Sequence, residues 1–438
     1  MKIGIVALSA ALLLSGTAAF AQQGTVTVVT SFSKDVTDPF KAAFEAAYPG
    51  TTLEVQNKST SSGVVYLEET RSNNQTDLFW ASAPDAFFTL KSQGLLWPFQ
   101  PTVEGIPDTV GSYHVNDPDG YFFGFAASGY GMMFNTRYLD ANGIAAPSEW
   151  EDLAQAQYHD HVVMAAPSRS GTTHLTVETI LQGEGWENGW KLLKLIGGNF
   201  QQVTDRSFGV PDAVNSGQAG VGIVIDFFGF SAKASGFPVD FVYPSVTTVV
   251  PANIGIVASA PNQEGAEAFV NFLLSEEGQL VLFEPSIQRL PINPSVYDRA
   301  PEGLPNPFTD AKFASMITFD EGMSSARGAV VDALFDQTIT FQLDNLSAAV
   351  AAIQGAEAAL EGRDNAEARG LIDEAIALVA ALPITAPEAA SADIVDAFKG
   401  GDQATARQSQ LEQQWAAFAQ ENYAAAKQKA EAALALLG

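Results

Sequence analysis

Short apolar runs alternate with amphipathic stretches along the first three hundred residues. Residues 25–30, 53–57 and 77–80 have the β-branched and aromatic composition of buried strands. Amphipathic segments at 35–48 and 64–73 lie between them and predict helices. Strands that alternate with helices are typical of an α/β fold with a parallel sheet.

The same alternation recurs in a second unit. Strands are predicted at 162–165 and 220–225, with a helix beginning near Leu175. From Val249 onward, further strands and a helix at 264–274 are expected to return to the first unit. Two units with two crossovers predict two lobes and a hinge. The predicted boundaries are 22–127 and 243–311 for lobe 1, and 128–242 for lobe 2.

The pattern changes near residue 312. Long segments rich in Ala, Glu and Gln at 347–360, 367–382 and 404–437 predict helices, with breaks near Pro383 and Pro387 and at Gly400-Gly401. An all-helical C-terminal extension over 312–438 is therefore expected. Two roles are open for it: a surface for a membrane partner, or a packing or dimerising module.

The first residues predict export. Met1-Lys2, an apolar run at 3–14 and Ala19-Phe20-Ala21 form a signal peptide over 1–21, with cleavage after Ala21. The apolar run is too short to span a bilayer of about 30 Å. We therefore expect a periplasmic protein without stable membrane insertion.

Composition narrows the function. The chain has 22 Lys and Arg against 50 Asp and Glu, a formal charge of −28, so a nucleic-acid partner is not expected. Any bound anion must meet a local, shielded site. There is no cysteine, and no nucleophile elbow, phosphate-binding loop or dinucleotide fingerprint, so neither an enzyme nor a cofactor is predicted. His159-Asp160-His161 lacks a third ligand at suitable spacing, so no metal site is predicted.

The most crowded hydroxyl-rich turn, at residues 168–173, lies between a predicted strand and a predicted helix. Gly171 lets the backbone approach a ligand, and the surrounding hydroxyls and free N–H groups can donate to an anion. Helix capping by Ser170 or Thr172 is the alternative. Arg206 lies in a comparable turn before a short predicted helix, where it either pairs with an anionic group or is an ordinary surface arginine.

Further candidates share the same position at strand ends. His174 follows the hydroxyl-rich turn and either donates to the anion or packs on its helix. Individually these serines and threonines are caps more often than ligands, so their shared position is the argument. The complete predicted set is Ser31, Ser33, Thr60, Ser61, Ser62, Ser82, Ser168, Ser170, Gly171, Thr172, His174, Arg206, Ser207 and Asp226.

With its signal peptide, its repeated strand, hydroxyl-rich loop and helix, and its segment 265–278, the chain resembles bacterial periplasmic solute-binding proteins of the ferric-ion, phosphonate and sugar-phosphate group. The resemblance covers about residues 23–306. A narrower resemblance, to phosphoglycerate transport regulatory proteins, rests on Ser168-Arg169-Ser170, Thr172, His174-Leu175, Gly185-Trp186, Gly189-Trp190, residues 206–210, Ile225-Asp226, Phe335-Asp336, Thr338-Ile339, Phe341, Leu343 and Leu346.

This resemblance implies a two-lobed type II periplasmic-binding-protein fold. It also implies a sensor that reports a phosphoglycerate-like anion to a membrane sensor kinase. The alternative is the substrate-binding protein of an ABC transporter, which delivers a phosphonate, sugar phosphate or ferric ion to a permease. Within this reading, Ser168, Ser170, Gly171 and Thr172 hold the phosphate, Arg206 neutralises a second acidic group, and Asp226 accepts from a ligand hydroxyl or amine.

Two positions depart from the related proteins. Ferric-binding members carry adjacent tyrosines where this chain has Phe227-Phe228, and phenyl rings cannot ligate Fe(III). Gly171 stands where the regulatory proteins carry an acidic residue. We therefore expect an anion rather than iron, with a ligand preference of its own.

Overall fold

The computed structural model describes residues 24–314, 316–398 and 402–438. The predicted signal peptide and the predicted break at Gly400-Gly401 lie outside these residues. The strands are β1 (Gly24–Thr30), β2 (Thr51–Asn57), β3 (Leu78–Ala81), β4 (Leu96–Trp97), β5 (Thr109–Val110), β6 (Tyr113–His114), β7 (Phe123–Asn135), β8 (Val162–Ala165), β9 (Phe200–Thr204), β10 (Val221–Ile225), β11 (Val239–Val242), β12 (Val249–Val257) and β13 (Leu290–Pro291).

The α-helices continue to the end of the chain. They are α1 (Lys34–Ala47), α2 (Thr60–Thr70), α3 (Pro84–Ser92), α4 (Thr136–Asn142), α5 (Gly171–Glu184), α6 (Trp186–Gly197), α7 (Gly209–Asn215), α8 (Asp226–Ala234), α9 (Gln263–Leu274), α10 (Glu276–Val281), α11 (Ala311–Ala314), α12 (Glu321–Thr338), α13 (Leu343–Leu360), α14 (Ala366–Ala380), α15 (Ala386–Ala389), α16 (Ala392–Val395) and α17 (Asp402–Leu437).

The main sheet runs in the order β2-β1-β3-β12-β7-β10-β8-β9. β1 is parallel to β2 and β3, and β8 is parallel to β9 and β10, as the alternation of strands and helices predicted. Two long antiparallel strands, β7 and β12, separate these parallel groups. We call the half containing β1–β3 lobe 1, the half containing β8–β10 lobe 2, and the helices from α12 onward the extension.

Strand β7 passes through both lobes. Its first part, up to Gly129, pairs with β12, and its second part, from Tyr130, pairs with β10 and β11. Side chains are excluded at this point, because a Cβ atom added at Gly129 would lie 2.7 Å from the ring of Tyr243. The hinge between the lobes is thus a change of partners along one strand.

Two helices begin earlier than the hydrophobic pattern predicts. We predicted helix starts at residue 64 and near Leu175, but α2 begins at Thr60 and α5 at Gly171. The hydroxyl of Ser59 accepts from the Ser62 N–H, and that of Ser170 accepts from the Thr173 N–H, each at 3.2 Å. These N-caps satisfy free N–H groups and let the helices start within the polar segments.

The extension shares a hydrophobic core with lobe 2. Trp190 and Ile223 of lobe 2 belong to the same buried cluster as Leu334, Ile353 and Trp415 of the extension. This continuity means that removing the extension would expose an apolar face of lobe 2 to water.

A buried ion pair fixes α12 to α5. The Nε and Nη2 atoms of Arg327 donate to the two carboxylate oxygens of Glu178, at 2.9 and 2.8 Å. The Glu178 side chain is fully buried and that of Arg327 is 7% exposed. Losing one partner of such a pair leaves the other charge buried and uncompensated.

Glu178→Gln is therefore expected to lower the free energy of unfolding by about 3 kcal/mol. The exposed Glu187→Gln is the matched control and should leave it unchanged. Urea unfolding followed by circular dichroism measures both. Because lobe 2 and the extension share a core, both should unfold in one transition, and an early, separate transition of the extension would contradict the shared core.

Candidate functional site

The lobes meet at a narrow space lined by five of the predicted residues. Ser31, Ser33 and Ser82 come from lobe 1, and Thr172 and Ser207 come from lobe 2. The rest of the lining is Phe32, Val36, Phe208, Ile225, Phe227 and Phe228. The free volume is about 20 Å³, enough for one water molecule, so the structure shows a closed cleft.

Arg206 bridges the two lobes across this cleft. Its Nη2 atom lies 3.3 Å from the side-chain oxygen of Asn57 and from the carbonyl of Lys58, and 3.5 Å from the carbonyl of Ser31. Burial lowers the pKa of Arg206 from its usual value. These acceptors are neutral oxygens, which a bound anion can replace with stronger charge-assisted hydrogen bonds.

A second space lies between both lobes and α12 of the extension, with a volume of about 440 Å³. Six other predicted residues line it: Thr60, Ser61, Ser168, Ser170, Gly171 and His174. The extension contributes Ser324, Ser325 and Asp332 to the same lining. Ser62 lines neither space, and its hydroxyl accepts from Ser59 at 2.7 Å within the first turn of α2.

Gly171 of lobe 2 packs closely against lobe 1. A Cβ atom added at Gly171 would overlap the Cβ of Ala83 and lie 3.3 Å from Thr60. Two hydroxyls of the preceding turn form hydrogen bonds within the protein. Ser170 caps α5, and Ser168 bonds to the carboxyl of Asp336 in the extension. The turn that we predicted to hold phosphate therefore packs directly against lobe 1 and the extension.

His174 connects lobe 1, lobe 2 and the extension. Its Nδ1 lies 2.7 Å from Asp332 of α12, and its Nε2 lies 3.2 Å from Asp85 of α3. Ser324 of α12 also donates to Asp85, at 2.5 Å. Burial acts to lower the pKa of His174, but Asp332 and Asp85 outweigh it and raise the pKa well above its ordinary value. The protonated imidazole thus contacts both carboxylates and connects lobe 1, lobe 2 and the extension. We call Asp85, His174 and Asp332 the clasp.

Asp226 lies fully buried at the hinge. Its carboxylate accepts from the N–H groups of Gly129 and Phe227 and from the hydroxyl of Tyr243, each at 2.7 Å. Burial raises the pKa of Asp226 to about 6, although these hydrogen bonds oppose the shift. In this closed structure the three donors are internal to the protein.

Arg289 is a further candidate residue that no sequence pattern indicated. It precedes β13, is fully buried, and donates through Nη2 to the hydroxyl of Ser82. Its guanidinium carbon lies 4.8 Å from the ring centre of Phe32 and 4.1 Å from that of Phe227. The signal in the sequence was an arginine in a short segment that also contains the apolar residues Ile287, Leu290 and Ile292.

Within the described ranges, no cluster of three or more His, Asp or Glu side chains is arranged to hold a metal ion. At the position where tyrosines would be expected in ferric-binding proteins, the rings of Phe227 and Phe228 pack against each other with their centres 4.3 Å apart. Over the same part of the chain, no helix has the length and apolar character of a membrane span.

The chain is similar in sequence to known proteins. A model of the family described as bacterial extracellular solute-binding protein matches residues 73–315. The phosphoglycerate transport regulatory protein PgtC of Salmonella typhimurium is 28% identical over 328 residues, 74% of this chain and 79% of that protein. Iron uptake protein A1 of Synechocystis is 27% identical over 216 residues, 45% of this chain and 59% of that protein.

Solved structures share the architecture. The periplasmic binding protein AfuA from Actinobacillus pleuropneumoniae, with fructose-6-phosphate bound, has a TM-score of 0.64 and 20% identity, over 72% of this chain and 98% of that one. Iron-bound HitA from Pseudomonas aeruginosa has a TM-score of 0.59 and 16% identity, over 70% and 98%. These likenesses confirm the predicted two-lobed type II fold.

Gly171→Ala is expected to hold the lobes apart, because the added methyl group overlaps Ala83. The radius of gyration in small-angle X-ray scattering should increase while the circular dichroism spectrum stays unchanged. Gly355→Ala on α13, where an added Cβ meets nothing within 4 Å, is the matched control. An unchanged radius of gyration for Gly171→Ala would show that the contact does not limit closure.

The clasp around His174 predicts a pH dependence of stability. A histidine whose folded pKa is raised contributes stability that is complete below its unfolded pKa of about 6.5 and is lost as the pH rises through the folded pKa. Wild type should therefore exceed His174→Gln in stability most at mildly acidic pH, and the difference should shrink in alkaline solution. Urea unfolding across pH tests this, and a constant difference would contradict it.

Proposed function

The chain belongs to the family of bacterial extracellular solute-binding proteins, and we propose that it binds a small phosphorylated anion between its lobes in the periplasm. The observation that carries this proposal is the convergence of hydroxyls from both lobes with Arg206 at one cleft. Hydroxyls at strand ends and free N–H groups at helix starts are suited to phosphate oxygens. Closure by rotation about β7 would remove the ligand from water and strengthen these contacts. This role is one of binding, without catalysis.

Two features of relatives support phosphate over iron. PgtC is a regulator of phosphoglycerate transport by name, and AfuA carries fructose-6-phosphate in its solved structure. Iron uptake proteins are also among the relatives, so ferric ion is the second candidate. The phenyl rings of Phe227 and Phe228 favour the phosphate, because they offer no oxygen to Fe(III).

We propose that the protein acts as a ligand sensor for a membrane signalling or transport system. The clasp of Asp85, His174 and Asp332 supports this role, because it links the extension to lobe 1 across the cleft. Opening the lobes would break the contacts of Asp85 with His174 and Ser324. The contacts of the extension would therefore differ between the open and the closed cleft. A membrane sensor kinase that contacts the extension would respond to that change in contacts. Delivery to an ABC permease is the alternative, and it needs no such link.

A thermal-shift panel on the mature protein tests the ligand class. Phosphoglycerate, phosphoenolpyruvate, fructose 6-phosphate, aminoethylphosphonate and Fe(III) are compared, since a ligand that binds the folded state raises the melting temperature. We expect a shift with at least one of the phosphorylated or phosphonated compounds and none with Fe(III). Arg206→Gln should weaken that binding about tenfold or more, as loss of a charged hydrogen bond predicts, whereas the exposed Arg137→Gln should not. A shift with Fe(III) alone would replace the phosphate proposal with the ferric one.

A further inference from the structure

Resting on the proposed anion site, we propose that Arg289 is its main charge, and that the group it holds is a compact oxyanion, a phosphate or phosphonate. Arg289 does not lie in any of the predicted hydroxyl-rich loops. The residue lies on lobe 1, beside the cleft, rather than at a helix start.

The guanidinium is deeply buried and incompletely bonded. Its relative exposure is 0%, and within the part of the chain that the structure describes, Nε and Nη1 have no hydrogen-bond acceptor. Only Nη2 is engaged, with Ser82. Buried donors without acceptors are rare in native proteins, and a charged one is especially costly. Two nitrogen atoms without an acceptor on one buried cation therefore indicate a place where a ligand can supply one.

Among the residues that the structure describes, no carboxylate in direct contact compensates this charge. Asp226 lies close enough for its charge to act on Arg289, but its oxygens accept from Gly129, Phe227 and Tyr243. The faces of Phe32 and Phe227 cover the cation instead. A ring face attracts a cation far more weakly than an anion in direct contact does.

The position of Arg289 gives a ligand access from the cleft. Ser82, Phe32 and Phe227 all contact its guanidinium, and all three line the space between the lobes. Phe227 belongs to lobe 2, so opening the lobes would uncover the cation. An anion that enters the open cleft can then reach Arg289 and Ser82 together.

Neighbouring groups suit an oxyanion with several oxygens. The charge of Arg289 acts on Tyr130, whose buried hydroxyl also lacks a partner among the described residues. The hydroxyl of Ser128, two residues before Tyr130 on β7, is unpartnered in the same sense. These hydroxyls can donate, and together with Ser82 and the guanidinium they match the several acceptors of a phosphate or phosphonate.

A purely structural arginine and an anion-binding arginine predict opposite effects on stability. Replacing a buried, unpaired cation with an apolar side chain of similar length removes a desolvation cost. Arg289→Met should therefore raise the melting temperature of the ligand-free protein, and it should abolish the shift caused by an anion. A structural arginine would instead lower the melting temperature when replaced.

The experiment measures ligand-free melting temperatures and calorimetric affinities for 3-phosphoglycerate, fructose 6-phosphate and aminoethylphosphonate. Wild type is compared with Arg289→Met, Arg289→Lys and the exposed Arg299→Met, whose partner is Glu276 on the surface. We expect at least a hundredfold loss of affinity for Arg289→Met, a smaller loss for Arg289→Lys, and none for Arg299→Met.

The outcomes separate the two proposals. Wild-type protein that binds none of these anions contradicts the proposed function and this inference with it. Wild-type binding that survives in Arg289→Met overturns this inference alone. A lower ligand-free melting temperature for Arg289→Met, with affinity retained, would show that Arg289 is structural and that its free donors are satisfied by water.

Discussion

The geometry of the cleft depends on the buried carboxylate of Asp226, which bonds to both connections between the lobes. Asp226 begins α8 in lobe 2, yet it accepts from Gly129 on the shared strand β7 and from Tyr243 on the second crossover. Hydrogen bonds from N–H and O–H groups to a buried carboxylate are among the stronger ones in proteins. Both connections between the lobes are therefore fixed relative to α8, whose first residues face the cleft.

A protein with a formal charge of −28 needs local positive charge to attract an anion. In the proposed site, Arg206 and Arg289 supply it from opposite lobes, and each borders the same narrow space through Ser31 or Ser82. Their surroundings differ. Arg206 is half-buried and bonds to neutral oxygens, whereas Arg289 is fully buried against aromatic rings. Burial lowers the pKa of Arg289 to about 10, which leaves it charged at neutral pH.

The extension contacts both lobes. It is anchored in lobe 2 by a shared core and by the Arg327–Glu178 pair, and it reaches lobe 1 through Ser324 and Asp85. The ring of Phe319, just before α12, also stacks on Tyr113 of lobe 1 with centres 5.8 Å apart. Separation of the lobes would therefore disrupt the contacts of Ser324 and Phe319 with lobe 1.

The sequence by itself determined the class of fold and predicted several of the strand ends that border the cleft. Its alternation of strands and helices, its hydroxyl-rich strand ends and its C-terminal helices are local signals, because periodicity and capping act over a few residues. Even so, the starts of α2 and α5 were misplaced by about one turn, since Ser59 and Ser170 cap helices inside polar segments.

Only the tertiary structure decided which side chains meet. His174 bonds to Asp332, 158 residues away, and Arg289 reaches Ser82 across 207 residues. Most of the predicted residues also divide between two spaces, because Gly171 packs against Ala83 where the lobes touch. Contacts of this range arise from packing of whole elements, which leaves no periodic trace in the chain. Arg289, the cation that we propose for the anion site, was therefore recognisable only once β13 was placed beside β7.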